Sequence, residues 1–292
     1  MNIWTHIEDQ ISEKTGQRFQ MSNKDAMVGG CINTSCRISD DHRHYFVKVN
    51  QPRFAYMFEA EIKALEAMAS TNTIKVPAPV SYGVAENQSF VVMEYLDLSG
   101  QADSIELARQ LAAMHRISSD HFGWAINNTI GSTLQVNTPS DNWIDFWRAH
   151  RLGFQLELAA SNGYGGELQK LGEHLLDDFP ALFESYQPLP SMLHGDLWGG
   201  NYGGLPDGTP VIFDPAFYYG DREAELAMTT LFGGFSPDFY AVYEEAYPLD
   251  EGYNVRKQFY NIYHVINHLN LFGGGYHGQA VSMMKRVLAE IG

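Results

Sequence analysis

The spacing of apolar and polar residues predicts a small β-rich region at the start of the chain. Residues 36–39 and 44–49 flank a polar turn at 40–43, which is typical of an antiparallel hairpin. Residues 54–70 have helical spacing with apolar side chains on one face, and residues 89–95 form a short apolar run typical of a buried strand. This region therefore predicts a strand, a second strand, a helix and a third strand.

The remainder of the chain has mainly helical spacing, and it follows a polar segment at 97–103 that we interpret as a hinge. Asp103 and Glu106 lie three residues apart, the spacing of a capping pair at the start of a helix. Apolar residues recur at helical spacing in four later segments: 141–160, 167–179, 222–231 and 254–271. One short β insertion is predicted at 209–214, after a Pro-Asp-Gly turn.

These elements predict an α+β protein with two lobes. Residues 1–96 form a small lobe with an antiparallel β-sheet, and residues 97–292 form a larger, mainly helical lobe. A cleft between two such lobes is a common position for a ligand.

Composition and charge argue against several classes of partner. The chain has 19 lysines and arginines against 35 aspartates and glutamates, a net charge of −16 with no basic cluster, which disfavours binding to nucleic acid and to anionic membranes. The first residues lack the basic start and apolar core of a signal peptide, and the longest apolar runs are too short to span a bilayer. Cys31 and Cys36 cannot form a disulfide framework or a zinc ribbon. We therefore predict a cytoplasmic protein without nucleic-acid or membrane partners.

The strongest chemical signal is a polar loop that begins at His194. Asp196 follows two residues later and Asn201 five residues after that, which is the H-x-D-x-x-x-x-N spacing of phosphotransferase catalytic loops. A carboxylate there can accept a hydroxyl proton while the amide oxygen binds Mg²⁺. Asp214 ends a short apolar strand thirteen residues further on, where a second metal ligand is needed. We predict Asp196 as the catalytic base or as the residue that positions the hydroxyl, and Asn201 and Asp214 as Mg²⁺ ligands, since a mere polar turn does not explain all three residues.

The start of the chain offers candidates for binding a nucleotide. Gly29, Gly30 and Cys31 precede the predicted hairpin, and their backbone N–H groups could contact phosphates. Two adjacent glycines are also common in ordinary turns, and the segment departs from G-x-G-x-x-G. Lys48 lies in an apolar strand, the position from which a kinase lysine reaches the α- and β-phosphates, although a solvent-facing strand residue is the alternative.

Glu61 decides between the two interpretations of Lys48. On a helical projection, Glu61 lies within the arc of the apolar residues Phe58, Leu65 and Met68. A carboxylate on an apolar face is costly unless it is paired. We therefore predict an ion pair between Lys48 and Glu61, as in an active kinase lobe.

Together these motifs resemble the fructosamine/ketosamine kinase family, a branch of the aminoglycoside-phosphotransferase-like kinases. The resemblance covers about residues 25–280 and rests on these segments: 28–33, 46–50, 57–61, 193–201, 213–216, 218–228, 232–235 and 263–270. It implies a protein-kinase-like fold and ATP-dependent phosphorylation of the sugar 3-hydroxyl of a ketosamine, whose unstable 3-phosphate then sheds the sugar (deglycation). A typical member has aspartate where this chain has Glu225, a conservative departure.

Further residues receive roles once this reaction is assumed. Glu94 and Tyr95, in the hinge strand, are expected to offer backbone groups to adenine. Trp198 lies between the catalytic aspartate and asparagine, where it can stack on a sugar or pack the loop. His268 and Asn270 are interpreted as lining the acceptor pocket, with a role in the core as the alternative.

The expected partners are ATP, Mg²⁺ and either small ketosamines or glycated protein lysines. The family resemblance also implies a monomer or a redox-linked dimer through Cys31. Three other functions remain as alternatives. The first is phosphorylation of an aminoglycoside or amino alcohol, and the second is a nucleotide-binding redox sensor. Protein phosphorylation is disfavoured because the chain lacks an Ala-Pro-Glu element and a long activation segment after Asp214.

Overall fold

The computed structural model describes residues 2–27 and 33–292. The strands are β1 Asn23–Ala26, β2 Thr34–Ser39, β3 His44–Asn50, β4 Pro79–Ala85, β5 Gln88–Glu94, β6 Asn128–Ile130, β7 Thr133–Gln135, β8 Ser191–Leu193, β9 Tyr202–Gly204, β10 Pro210–Ile212 and β11 Tyr218–Gly220. The α-helices are α1 Ile3–Thr15, α2 Ala55–Ser70, α3 Ser104–His115, α4 Trp143–Trp147, α5 Gly153–Ser161, α6 Glu167–Asp178, α7 Arg222–Thr229, α8 Pro237–Ala246, α9 Tyr253–Phe272 and α10 Tyr276–Ile291. Short 3₁₀ segments occur at Pro52–Phe54 and Phe179–Phe183.

Contacts divide the chain into two compact units. The first consists of Met1–Leu107 and Tyr202–Pro215, and the second of Ala108–Asn201 and Ala216–Gly292. The predicted β insertion at 209–214 forms β10, and β9, which was not predicted, pairs with it. Both strands belong to the first unit rather than to the unit that surrounds them in sequence. The lobe boundary predicted between residues 96 and 97 stays a prediction.

The first unit is built on a five-stranded antiparallel sheet with the strand order β1-β2-β3-β5-β4. The predicted hairpin forms β2 and β3, the predicted helix forms α2, and the predicted buried strand forms β5. In β3, Lys48 pairs with Ser35 of β2 and with Val91 of β5, so it occupies the middle of the sheet.

Helix α1 was not predicted, and it determines which face of the sheet Lys48 occupies. Its buried residues Ile3, Ile7 and Ile11 recur every four positions and pack in one core with Val47 and Val49 of β3. Successive side chains in a strand point to opposite faces, which places Lys48 on the face away from α1. The isoleucine spacing was the signal that could have predicted this helix.

Strands β9 and β10 form a small antiparallel pair that leads directly to Asp214. Ile212 of β10 donates its backbone N–H to the Lys75 carbonyl oxygen at 3.1 Å, and Val211 bridges to Lys75 in parallel. These contacts tie the strand before Asp214 to the rest of the first unit.

The second unit is mainly helical, and its predicted helices are confirmed with altered limits. The segment predicted as one helix at 141–160 consists of α4, a π-helical turn at Arg148–Leu152 and α5. Four short strands, β6, β7, β8 and β11, were not predicted. Each has three residues, which is too short to produce a periodic pattern, so only pairing with distant segments defines them.

The core of the second unit is rich in aromatic side chains. Trp143, Phe146 and Trp147 are buried and pack with α9 residues that include Tyr260. The capping prediction for α3 also holds, because the Asp103 carboxylate accepts the N–H groups of the second and third helical residues. No helix in the described parts of the chain is long and apolar enough to cross a membrane.

Candidate active site

The first unit contains an ion-paired cluster in which buried Lys48 and Glu61 side chains meet the partly exposed Asp214. The Lys48 Nζ atom donates to Glu61 Oε1 at 2.8 Å and to Asp214 Oδ1 at 2.5 Å. The Lys48 and Glu61 side chains are only 7% and 11% exposed, whereas that of Asp214 is 45% exposed. The geometry thus contains the predicted Lys48–Glu61 pair and adds Asp214 to it.

Burial and charge act in opposite directions in this cluster. Burial penalises the charged form of Lys48, but the neighbouring Asp214 and Glu61 charges outweigh that penalty and raise the Lys48 pKa. Burial also raises the pKa of Glu61, against the opposing effect of the Lys48 charge. Lys48 therefore stays positively charged at neutral pH, which is the state that the predicted phosphate contact requires.

Asp214 adopts a backbone conformation that is uncommon for a residue with a side chain. Its φ angle is +60°, in the left-handed region. Such a conformation costs on the order of 1 kcal/mol and persists where the surrounding structure enforces it. The contacts of β10 and the ion pair with Lys48 are the interactions that hold Asp214 in place.

The second unit contains the predicted catalytic loop, which follows β8. The Asn201 side chain donates its Nδ2 group to the Asp196 carbonyl oxygen at 2.8 Å and to Asp196 Oδ2 at 3.1 Å. The backbone N–H of Asn201 also bonds to the Trp198 carbonyl at 2.9 Å, which closes the turn. Asp196 and Asn201, predicted from spacing alone, are therefore in direct contact.

Glu225 of α7 anchors the start of this loop. Its Oε1 and Oε2 atoms accept the backbone N–H groups of His194 at 3.1 Å and Gly195 at 2.6 Å. His115 of α3 bonds to Glu225 Oε1 at 2.8 Å through Nε2, and its Nδ1 contacts the Tyr243 hydroxyl at 2.7 Å. Burial acts to raise the Glu225 pKa, but the His115 hydrogen bond and the other donors outweigh it and lower the pKa.

From the sequence, Glu225 stood out only as a departure from the family pattern, and His115 was not predicted to have a role. The one available signal was a glutamate within a helix whose every residue is buried, but that burial is itself a property of the tertiary structure. His115 ends an amphipathic helix, where a histidine is unremarkable in sequence.

Gly195 is required where the loop leaves the sheet. Its φ angle is +85°, and a Cβ atom there would lie 2.0 Å from the Ala216 carbonyl oxygen. Any other residue would displace this backbone, because β8 and β11 pair beside it.

The predicted substrate residues are only partly brought together. The Phe232 ring lies between Trp198 and His268, with its centroid 6.1 Å from the Trp198 ring and 4.5 Å from the imidazole. Asn270 is used differently, because its amide donates to the backbone and side-chain oxygens of Gln155. That bond ties α9 to α5, and a substrate contact through Asn270 stays a prediction.

The predicted nucleotide contacts at the hinge are constrained by existing bonds. The backbone N–H of Glu94 donates to the Ala78 carbonyl at 2.8 Å, and that of Tyr95 donates to the His44 carbonyl at 3.4 Å. A contact to adenine through these two residues would therefore use their carbonyl groups. Gly29, Gly30 and Cys31 lie outside the described residues, so the phosphate loop and a redox-linked dimer through Cys31 stay predictions.

Comparison with known proteins assigns the family. A model of the fructosamine kinase family matches residues 3–290. The chain belongs to this family. A "Probable ketoamine kinase" of Synechocystis sp. is 46% identical to this chain. The match covers 98% of this chain and 97% of that protein. The chloroplastic protein-ribulosamine 3-kinase of Arabidopsis thaliana is 40% identical over 95% of this chain and 87% of its own length.

Solved structures confirm the predicted fold class. A candidate fructosamine-3-kinase from Haemophilus somnus matches with a TM-score of 0.90 and 30% identity, covering 98% of this chain and 97% of that one. An aminoglycoside phosphotransferase in a ternary complex with ADP and hygromycin B matches with a TM-score of 0.66 at 15% identity, covering 97% and 98% of the two chains, which shows a shared fold alone. The α+β kinase-like fold expected from the sequence is therefore confirmed.

Proposed function

We propose that this family member is an ATP-dependent ketosamine kinase that phosphorylates the sugar 3-hydroxyl of a ribulosamine or fructosamine. The observation that carries the proposal is the contact between Asp196 and Asn201 on a loop anchored by Glu225. Family membership supports the ketosamine as acceptor, and two curated relatives carry ketoamine kinase and protein-ribulosamine 3-kinase names. The amine is that of a small metabolite or of a glycated protein lysine.

Asp196 acts on the acceptor hydroxyl. Its carboxylate accepts the proton of the 3-hydroxyl as that oxygen bonds to the γ-phosphorus of ATP and ADP leaves. Because the transition state of phosphoryl transfer is loose, positioning of the hydroxyl contributes more than the strength of the base. Asn201 contributes to this positioning by holding Asp196 Oδ2 in one orientation.

Lys48 is the proposed ligand of the ATP α- and β-phosphates. An ammonium group has three N–H donors. Glu61 and Asp214 accept two of them, and no residue of the described chain accepts the third. Glu61 fixes the direction of the remaining donor, and the backbone of Glu94 and Tyr95 is proposed to contact the adenine.

The residues proposed to bind Mg²⁺ have suitable donor atoms. Both Asn201 hydrogen bonds use its nitrogen, which leaves the amide oxygen Oδ1 without a partner among the residues described. Asp214 offers a partly exposed carboxylate, and oxygen atoms of these two kinds are the ligands that Mg²⁺ prefers. When bound, Mg²⁺ neutralises charge on the transferred phosphoryl group.

The test is ADP release from Mg²⁺ATP with a ribulosamine, a fructosamine, kanamycin and choline. Asp196→Asn is compared with Asp177→Asn, a substitution of an exposed aspartate on α6. We expect turnover of a ketosamine that only Asp196→Asn abolishes. Turnover of kanamycin or choline alone would refute the substrate, and ATP binding without turnover of any acceptor would favour the sensor alternative.

A further inference from the structure

Five rings form a continuous, partly exposed surface in the second unit, which we call the ring surface. It runs from Trp198 through Phe232 and His268 to Phe272 and Tyr276. Phe272 and Tyr276 lie 5.6 Å and 5.3 Å from the imidazole of His268, measured between ring centroids. Phe272 is 61% exposed and Trp198 is 37% exposed, whereas most rings of this unit are buried. A chain of touching aromatic rings that stays open to solvent is typical of a binding surface rather than a core.

The ring surface is continuous with the catalytic loop. Trp198 lies two residues after Asp196 in that loop, and Asn201 bonds to both the Trp198 carbonyl and the Asp196 carboxylate. Helix α9, which carries His268, joins this loop through Phe232, whose ring contacts both Trp198 and His268. A molecule held on the rings therefore lies beside the base that acts on it.

His268 contributes a lone pair to this surface. Its Nδ1 atom lies 2.8 Å from the His264 carbonyl oxygen, so Nδ1 carries the proton and donates it. Burial lowers the pKa of His268, which keeps the imidazole neutral. In a neutral imidazole with a protonated Nδ1, Nε2 is a hydrogen-bond acceptor, and no described residue occupies it.

We propose that the ring surface binds the positively charged amine of the substrate, through cation–π contact with the rings and a hydrogen bond from the ammonium N–H to His268 Nε2. This inference rests on the proposed function, because a ketosamine carries a secondary alkylamine that is protonated at neutral pH. Aromatic faces attract cations, and partly desolvated pairs of this kind are the strongest. The net charge of −16 also favours a cationic ligand over an anionic one.

On this proposal, the rings distinguish a ketosamine from a free ketose. A free ketose has the same hydroxyl groups as a ketosamine but no charge. Stacking of Trp198 on the sugar contributes equally to binding of the ketose and the ketosamine. The ring surface as a whole binds the charged ketosamine more tightly. Selection for the glycated amine therefore comes from the amine itself rather than from the sugar.

The experiment compares a fructosamine or ribulosamine with a neutral isostere in which an ether oxygen replaces the amine. The quantity measured is the ratio of kcat/KM for the charged compound to that for the neutral one. The variants are Phe232→Leu, Phe232→Tyr, Phe272→Leu and the pair His268→Leu and His268→Gln. Tyr82→Leu, at an exposed ring in β4 of the first unit, is the matched control.

We expect the wild-type ratio to fall by about tenfold in Phe232→Leu and by about threefold in Phe272→Leu, given the usual strength of cation–π contacts. Phe232→Tyr and His268→Gln should retain most of the ratio, since they keep a ring and an acceptor, while the KM for ATP stays unchanged throughout. Phe272→Leu alters an exposed side chain, so it tests the idea even where Phe232→Leu does not fold.

Two failures are distinguishable. If the wild type turns over no ketosamine, the proposed function itself is wrong. If ketosamines are turned over but both compounds lose activity equally in the ring variants, the rings pack against the sugar and do not recognise the charge, which overturns this inference alone.

Discussion

The two regions that carry the proposed chemistry hold their polar groups in different ways. In the first unit, Lys48, Glu61 and Asp214 are fixed by attraction between opposite charges. In the second unit, Asp196 lies on a loop that Glu225 holds through backbone N–H groups. A lysine that binds phosphate must above all remain charged. A base must instead be positioned within hydrogen-bond reach of one hydroxyl.

This difference predicts where each region is sensitive. Loss of one charge in the first unit leaves a buried partner without compensation, so stability should suffer directly. Loss of an anchor in the second unit should disturb the position of Asp196 and therefore the rate. The following experiments test this contrast, beginning with the largest expected effect.

Asp196→Asn should reduce kcat by on the order of 10³-fold, because an amide cannot accept the hydroxyl proton. Stability and the Kd for ATP should change little, since the amide oxygen can still accept the Asn201 hydrogen bond. Single-turnover kinetics and ATP titration measure the two quantities. Near-normal turnover would show that Asp196 is not the base.

Lys48→Met should lower the free energy of unfolding by about 3 kcal/mol, because Glu61 is left buried without a partner. The double variant Lys48→Met/Glu61→Leu should recover part of this loss. The control is Lys63→Met, which removes a surface ion pair with Glu59 in the same helix and should cost less than about 1 kcal/mol. Urea unfolding measures the free energy of unfolding of all three variants. Equal losses for Lys48→Met and Lys63→Met would show that burial of the ion pair does not determine its contribution to stability.

Glu225→Gln should cost about 2 kcal/mol, because an NH₂ group replaces one acceptor and leaves a buried backbone N–H unsatisfied. We expect kcat to fall while the KM for ATP is retained. Glu225→Asp keeps both acceptor oxygens, so it should lose less activity than Glu225→Gln. If both variants lost only stability and kept kcat, the anchor would not position Asp196.

Lowering the pH should weaken the second unit through His264. Burial lowers the pKa of this histidine to about 3, against an ordinary value of 6.5, and its Nδ1 has no partner in the described chain. A depressed folded-state pKa means that the unfolded chain binds the proton more readily, so stability is present above pH 6.5 and is lost as the pH falls toward 3.

His264→Phe should therefore flatten the dependence of unfolding free energy on pH, by about 2 kcal/mol between pH 6.5 and 5. Urea unfolding at these two pH values measures the effect. The control is His42→Phe, at an exposed position in the turn between β2 and β3. An equal slope in wild type and His264→Phe would show that this buried histidine does not govern the acid sensitivity.

The sequence predicted the site most completely where the residues concerned lie close together in the chain. Asp196 and Asn201 lie on one loop, so a spacing of five residues was enough to predict both as site residues, and the structure places their side chains in contact. The Lys48–Glu61 pair followed from helical periodicity, because an acid on an apolar face needs a partner. Helix α1, three strands of the first unit (β1, β4 and β9) and the four short strands of the second unit were missed, since their signals are weak or absent without the segments they pack against.

By itself, then, the sequence predicted two lobes, candidate residues for the base and the metal, and the lysine–glutamate pair, because each depends on local spacing or on the period of a single helix. The kinase-like fold followed from the family resemblance of the motifs and is confirmed. Only the tertiary structure decided that Asp214 completes the Lys48 pair across 166 positions. It also decided that Glu225 holds the catalytic loop and that rings from three distant segments form one surface. These contacts depend on which elements pack together, and no local pattern in a chain records the identity of a distant neighbour.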